Sequence, residues 1–412
     1  MTAELAAPPR SGPWTPRVAV ALTVLAAAAF VYVTAEIMPV GALPAIAADL
    51  DVSVAAVGTL LASYAFVAAI ATVPLVRWTS AWPRRRALLF TLLSLTVSQL
   101  ISALAPTFAV LALGRVLCAL THGLMWSVIA PIGVRLVPAS HAARATTAVY
   151  VGTGLALVVG SPLTAAMSQL WGWRLAVVAI AVAAAVVLAA ARLALPLMAV
   201  PGAEAGAGAA PRKHHRNPRL VAMCVLTLIG VTGHFISYTF IVVIIRDIVG
   251  VHGPNLALLL AVYGVAGLAA MGLLARPGDR HPRATVVGCL MALTTALALL
   301  AGLGFAGRIT PATTVLGIAA VIGWGAMATA IPPMLQSAAM RHCPEDPDGA
   351  SGLYVTAFQV GIMAGSLLGG ALLEHGGEPA MLATSAGLVA VALASLVGRR
   401  DLLSGPGLAS GK

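Results

Sequence analysis

Apolar runs long enough to cross a membrane recur along the whole chain. Twelve can be read, at 18–43, 54–76, 87–105, 108–134, 146–167, 175–197, 219–245, 255–275, 284–306, 311–336, 351–373 and 380–398. A helix of about 20 residues rises roughly 30 Å, the thickness of the hydrocarbon core of a bilayer. Inside that core every backbone N–H and C=O must be paired within the protein, so each run is committed to helix. With 9% of residues charged and 60% hydrophobic, the chain lies far from the balance of a soluble domain. The expected fold is an all-α membrane protein with twelve transmembrane helices.

Charge placement sets the expected orientation. A net charge of +11 would suit a nucleic-acid partner if it formed a patch, but it does not. Threading the spans from a cytoplasmic N-terminus puts 20 of the 24 Lys and Arg residues in the N-terminus, the even-numbered loops, the C-terminus or the span ends beside them. Arg174, Arg246 and Arg308 fall in outer loops and Arg115 inside a span. This is the positive-inside pattern of a multi-pass protein. It predicts a plasma (inner) membrane protein with both termini in the cytoplasm, the lipid bilayer as its surroundings and no nucleic-acid partner. The first span follows Arg10 and Arg17, as the core of a signal peptide does, but its length and the eleven spans after it identify an uncleaved anchor. Cys118, Cys224, Cys289 and Cys343 are scattered without a CxxC pair, so neither a disulfide nor a metal site is expected.

The spans divide six and six about a stretch rich in Gly, Ala and Pro that ends in a basic cluster, the composition of a flexible linker. The expected units are an N-terminal segment 1–17, a six-helix bundle 18–197, a linker 198–218, a second bundle 219–398 and a tail 399–412. Short basic loops at 77–86 and 276–283 occupy the same place in each half, which suggests a duplicated unit and hence two pseudo-symmetric bundles. Gly160 and Pro162 in the fifth span, and Gly361, Gly365 and Gly369 at four-residue spacing in the eleventh, make smooth helix faces. Such faces let a neighbouring backbone approach closely. They serve either tight packing or a seam along which the halves rock.

One carboxylate, Glu36, lies well inside a span. An ionised acid in hydrocarbon costs several kcal/mol on insertion scales, so such a group is neutral, paired or facing a wet cavity. Counting from the span ends, Glu36 lies roughly 12 Å and Arg115 roughly 10 Å below the same face. Arg115 can therefore hold Glu36 ionised, if their helices are neighbours, or form a static pair with it. Arg115, His122 and Trp126 share one stripe of the fourth helix. His122 can titrate near neutral pH or be a hydrogen-bonded packing group, and Trp126 can stack on a ligand or pack. His234 and Tyr238 share a face of the seventh span, as do Tyr354 and Phe358 on the eleventh, with Gln359 beside them. Aromatic faces, hydroxyls and amides with few fixed charges suit a neutral or amphipathic small molecule. Paired-Asp, metal-binding His, P-loop and GxSxG motifs are all missing from the sequence, so neither an enzyme, such as an intramembrane transferase, nor an ATP-driven pump is expected.

Several segments in order carry a resemblance. They are Thr34-Ala35-Glu36 through Pro44 with Ala47-Ala48-Asp49-Leu50; Leu113-Gly114-Arg115 with His122-Gly123-Leu124-Met125-Trp126; Gly160-Ser161-Pro162 with Trp171-Gly172-Trp173-Arg174; and His234-Phe235 with Tyr238-Thr239-Phe240-Ile241. Over almost the whole chain this resembles the major facilitator superfamily, within it the bacterial drug:proton antiporters, and most nearly the sugar-efflux and purine-nucleoside-efflux subgroup. The resemblance implies a monomeric, proton-coupled exporter of a sugar, nucleoside or drug-like molecule working by alternating access, with the proton gradient in place of a cofactor. Uptake by symport on the same fold is the alternative. It also implies charge-based gating by the loops that hold Arg84, Arg85 and Arg86 and Asp279 and Arg280. The acid normally preceding the first basic run is replaced by Thr79-Ser80, leaving Asp279 or the arginines alone to latch.

Overall fold

The structure is a computed structural model that describes residues 14–198 apart from 53, residues 216–399 apart from 253, and residues 402–403. Most of the expected N-terminal segment, linker and tail lies outside the described residues. The described residues form twelve membrane-length helices: α1 Pro16–Gly41, α2 Val54–Trp78, α3 Arg84–Ala103, α4 Phe108–Arg135, α5 over 142–171, α6 Trp173–Ala194, α7 Pro218–Tyr238, α8 Pro254–Arg280, α9 Pro282–Ala306, α10 Pro311–Arg341, α11 over 347–376 and α12 over 378–398. α11 and α12 are two helices separated by a single non-helical residue, Gly377, whose φ of 72° no helix tolerates. A short helix, Leu43–Asp49, follows α1.

Local chemistry explains the ends. Thr15, Thr107, Asn217 and Thr310 cap α1, α4, α7 and α10 with side-chain oxygens, and Pro218, Pro282 and Pro311 sit in first turns where a missing N–H is harmless. Turns at the end opposite the basic loops reverse the chain within a few residues, and all but the α3–α4 turn do so through a left-handed residue after the helix. Gly172, Gly250, Gly307 and Gly377 supply it, and Asp51 does so with φ 52°. α5 contains a π-helical turn at Ala156–Gly160, and a second, Ile245–Val249, extends α7.

The first six helices pack on one another, α1 against α5 and α6 and α4 against α2 and α3. The last six do likewise, α7 against α11 and α12 and α8 against α10. The halves meet where α5 lies along α8 and where α11 crosses α2 and α4. This corrects the rocking-seam reading of the spaced glycines. A Cβ on Gly361 or Gly365 would meet α7, 2.9 Å from Val231 and 2.6 Å from the Thr232 carbonyl, and one on Gly369 would overlap the Ile236 carbonyl. Those three glycines seat α11 on α7 within one half. Gly160 likewise faces Thr34 on α1, and the Pro162 side chain lies outside the described residues. The close approaches between halves fall instead at Gly154, against Leu268, at Gly264, against Val158, and at Gly352, against Val76.

Candidate functional site

Between the halves lies a cavity of about 730 Å³, the size of a small-molecule pocket. Glu36, His122, Trp126, His234, Tyr238, Tyr354, Phe358 and Gln359 all line it. Arg115 does not; it is buried behind the wall.

Glu36 projects from α1 with a quarter of its side chain exposed, and its Oε2 lies 3.9 Å from His122 Nδ1, beyond hydrogen-bond reach. The Tyr64 hydroxyl shares a 2.9 Å hydrogen bond with that same Nδ1 and lies 3.4 Å from Cys118 Sγ. Behind it, Tyr32 donates to the Thr91 carbonyl at 2.7 Å and bonds the Thr121 hydroxyl at 3.1 Å. Arg115 sits at the depth of Glu36, as the helix arithmetic predicts, but no ion pair joins the two side chains among the described residues. Its Nη1 donates to the Ala35 carbonyl at 2.6 Å and its Nη2 to the Glu36 carbonyl at 2.7 Å, while its guanidinium lies 4.8 Å from the Tyr64 ring centre. The cause is Pro39. Proline lacks the N–H that would pair with the carbonyl four residues back, which is that of Ala35. Arg115 supplies the missing donor.

The wall from the second half is aromatic. His234 stacks on Tyr238 with ring centres 5.1 Å apart and 26° between planes, and its Nδ1 takes a 3.0 Å hydrogen bond from Trp324 Nε1. Tyr263 lies against both Tyr238 and Trp324. The Gln359 amide nitrogen is buried without a protein partner. Sequence reasoning missed Tyr64, Tyr150, Tyr263 and Trp324. A signal existed for three of them: the chain has six tyrosines, and they fall on α1, α2 and α5 and on α7, α8 and α11, equivalent helices of the two halves.

The cavity is closed toward the end that carries the basic loops. Gln336 on α10 accepts from the Tyr150 hydroxyl at 2.9 Å and donates to the Trp126 carbonyl at 3.1 Å, tying the halves together. Nearer that end Asp348, in the first turn of α11, pairs with Arg84 and with Arg135, each at 2.7 Å. Asp279 at the end of α8 pairs with Arg144 at 2.6 Å and accepts from the Ala143 amide at 2.8 Å. Both acids therefore latch the second half to the first. Asp348 provides the charge that Thr79-Ser80 lacks, while Arg84 also donates to the carbonyls of Thr79 and Ser80. Arg85 bonds the Leu195 carbonyl and Arg86 lies over Trp82, both inside the first half, and Arg280 is exposed.

At the opposite end Arg174 binds Asp49 and, at 2.8 Å, the Ala105 carbonyl. Its guanidinium holds the Asp49 carboxyl below the usual carboxylate range. Arg246 and Asp247 form an exposed neighbouring pair, of a kind that contributes little.

A family model described as Major Facilitator Superfamily matches residues 25–346 and 223–407. Over 399 residues the chain is 64% identical to a Mycobacterium tuberculosis (strain H37Rv) protein named as a chloramphenicol efflux pump, covering 97% of this chain and 96% of that one. Its counterpart in the Oshkosh strain matches equally. Among solved structures the chain resembles the proton:xylose symporter XylE, with a TM-score of 0.73 at 13% identity, 93% of this chain and 96% of that one being covered. It also resembles the human organic anion transporter TETRAN, with a TM-score of 0.71 at 16% identity and coverage of 93% and 100%. At such identities those two likenesses speak for the fold. Twelve helices in two halves about a central cavity, with the family match spanning both halves, place this chain in the major facilitator superfamily.

Proposed function

We propose that the chain is a proton-coupled exporter of small, uncharged or amphipathic drug-like molecules, with a chloramphenicol-like compound as its first candidate substrate. The observation that carries this reading is Glu36, the lone carboxylate among the described residues of a wall otherwise built of aliphatic and aromatic side chains with a few hydroxyls, an amide and two imidazoles. A neutral ligand is held by such a wall without a charge partner. The acid, meanwhile, feels whether the cavity is wet or filled, because desolvation favours its protonated form. The 64% identity to a protein named as a chloramphenicol efflux pump supports both the direction and the class.

By the positive-inside rule the latched end faces the cytoplasm, so the cavity of this conformation is closed to the cytoplasm. Bundles 18–197 and 219–398, joined by the 198–218 linker, are the units that rock, and a single chain suffices because each half supplies its own wall. In the proposed cycle Glu36 takes a proton from the outside as substrate leaves, and releases it inward after the latch opens. Each proton moving inward gains about 2.3 kcal/mol per 100 mV. The test is expression in a pump-deleted bacterium challenged with chloramphenicol, paired with substrate-dependent proton movement in inverted vesicles. Wild type is expected to raise resistance severalfold and to release protons from an acidified lumen, and Glu36→Gln to abolish both. Resistance that survives Glu36→Gln removes the carboxylate from the coupling step, and co-entry of proton and substrate into whole cells reverses the direction.

A further inference from the structure

The two histidines of the cavity are held in chemically different ways. His122 Nδ1 faces a tyrosine hydroxyl, which both donates and accepts, so that contact survives either state of the ring. His234 Nδ1 faces the indole N–H of Trp324, which can only donate. The Nδ1 of His234 must then carry a lone pair, and in the neutral ring the proton resides on Nε2. Trp324 is fully buried, so a proton placed on Nδ1 would strand the indole N–H without a partner. Tyr238 covers one face of the imidazole, and Phe235 and Trp324 lie edge-on at centre distances of 5.0 and 5.9 Å. His234 itself is partly exposed in the cavity wall, and its Nε2 is not among the buried atoms lacking partners. It is therefore a donor open to the cavity.

We infer that Trp324 locks His234 into one neutral tautomer, whose Nε2–H is a fixed donor for an uncharged acceptor oxygen of the nitro class on a ring-bearing substrate. Trp324 is the positioning residue and His234 touches the ligand. Across the cavity Glu36 offers the opposite polarity, an acceptor for a ligand hydroxyl. The site thus distinguishes the two ends of a neutral molecule. This assignment rests on the proposed export of chloramphenicol-like compounds and names the feature of them that the second half reads.

The test uses the full chain in lipid nanodiscs. The probes are chloramphenicol, which carries a nitro group on its ring, and its analogue with hydrogen in place of that group. His234→Asn keeps an amide oxygen where Nδ1 accepts from Trp324 but has no donor where Nε2 stood. It is expected to weaken chloramphenicol binding about five- to tenfold, the worth of one hydrogen bond, and to leave the des-nitro analogue within about twofold. Trp324→Phe is expected to give a partial loss with the same selectivity. Long-range 15N–1H spectra of histidine-labelled protein are expected to show His234 as the Nε2–H tautomer alone in wild type and as a mixture in Trp324→Phe. Equal weakening of both probes by His234→Asn, or a mixed tautomer in wild type, overturns the assignment while leaving the export reading intact. A wild type that binds neither probe overturns both.

Discussion

At the scale of single residues, the arginine behind Glu36 is explained by a proline. Pro39 leaves the Ala35 carbonyl without its helical donor, and Arg115, 3% exposed, fills that role and bonds the next carbonyl as well. Lysine could not replace it, because a single ammonium lacks the planar fork that reaches two oxygens. Arg115 and Pro39 are therefore thermodynamically coupled. Arg115→Gln should destabilise the protein by about 2 kcal/mol, the worth of charge-assisted bonds to buried acceptors. In a Pro39→Ala background, where the Ala35 carbonyl regains an N–H, the loss should shrink by roughly half. A double-mutant cycle of detergent-denaturation midpoints measures this, and strictly additive losses would refute it. The sequence showed that Glu36 and Arg115 share a depth, because rise per residue is fixed. It could not show that the guanidinium serves the backbone rather than the carboxylate, since that depends on side-chain direction at the crossing of α1 and α4. Trp324 was hidden for a related reason: it reaches the site through His234 and Tyr263, and no spacing within one helix records contacts of α10 with α7 and α8.

At the scale of elements, the twelve apolar runs were legible almost to their ends, because the bilayer enforces both length and helicity. Departures occur where the membrane no longer decides. α10 continues to Arg341, past the apolar run ending at 336, since a helix leaving the bilayer stays helical until its cap. The role of the α11 glycines was open in the sequence because small residues look the same whichever helix they face. Their true partner makes a sharp prediction. A Cβ at Gly365 would stand 2.6 Å from the Thr232 carbonyl oxygen and 2.8 Å from Phe235 Cβ, forcing α11 off α7. Phe235 contacts His234, so the strain reaches the cavity wall. Gly365→Ala is expected to cost about 1–3 kcal/mol of stability, as overpacking does, and to abolish transport. Gly272→Ala on α8, where an added Cβ meets nothing within 4 Å, should stay within about 1 kcal/mol of wild type and keep transport. Thermal unfolding in detergent and efflux assays read the two variants side by side; similar behaviour of both would show that α7 and α11 do not depend on close approach.

At the scale of the whole molecule, every described ion pair between the halves puts the acid on the second half and the base on the first. Asp348 faces both Arg84 and Arg135, and Asp279 faces Arg144. The Asp348 group is the drier latch, with side chains of Asp348 and Arg84 only 3% and 4% exposed against 25% for Arg144. Asp348 also sits in the first turn of α11, where the helix dipole favours a negative charge. Removing that charge leaves two arginines facing each other with no compensation, and an uncompensated buried charge costs about 3–5 kcal/mol. Opening this end lets water reach them, so the cost falls on the latched state alone. Since about 1.4 kcal/mol is a tenfold change in population, Asp348→Asn should shift the equilibrium toward opening at the basic end by at least tenfold. Asp279→Asn should shift it less, because Arg144 is already partly hydrated. Spin labels in the 79–83 loop and at the end of α8 near 281, with distances read by pulsed electron resonance in nanodiscs, would report the change. The longer separation is expected to dominate in Asp348→Asn without substrate, and to be a minor component in Asp279→Asn. If Asp348→Asn keeps the wild-type distance distribution, the halves are held at this end by packing along α2, α4 and α11, and the charges are not the latch.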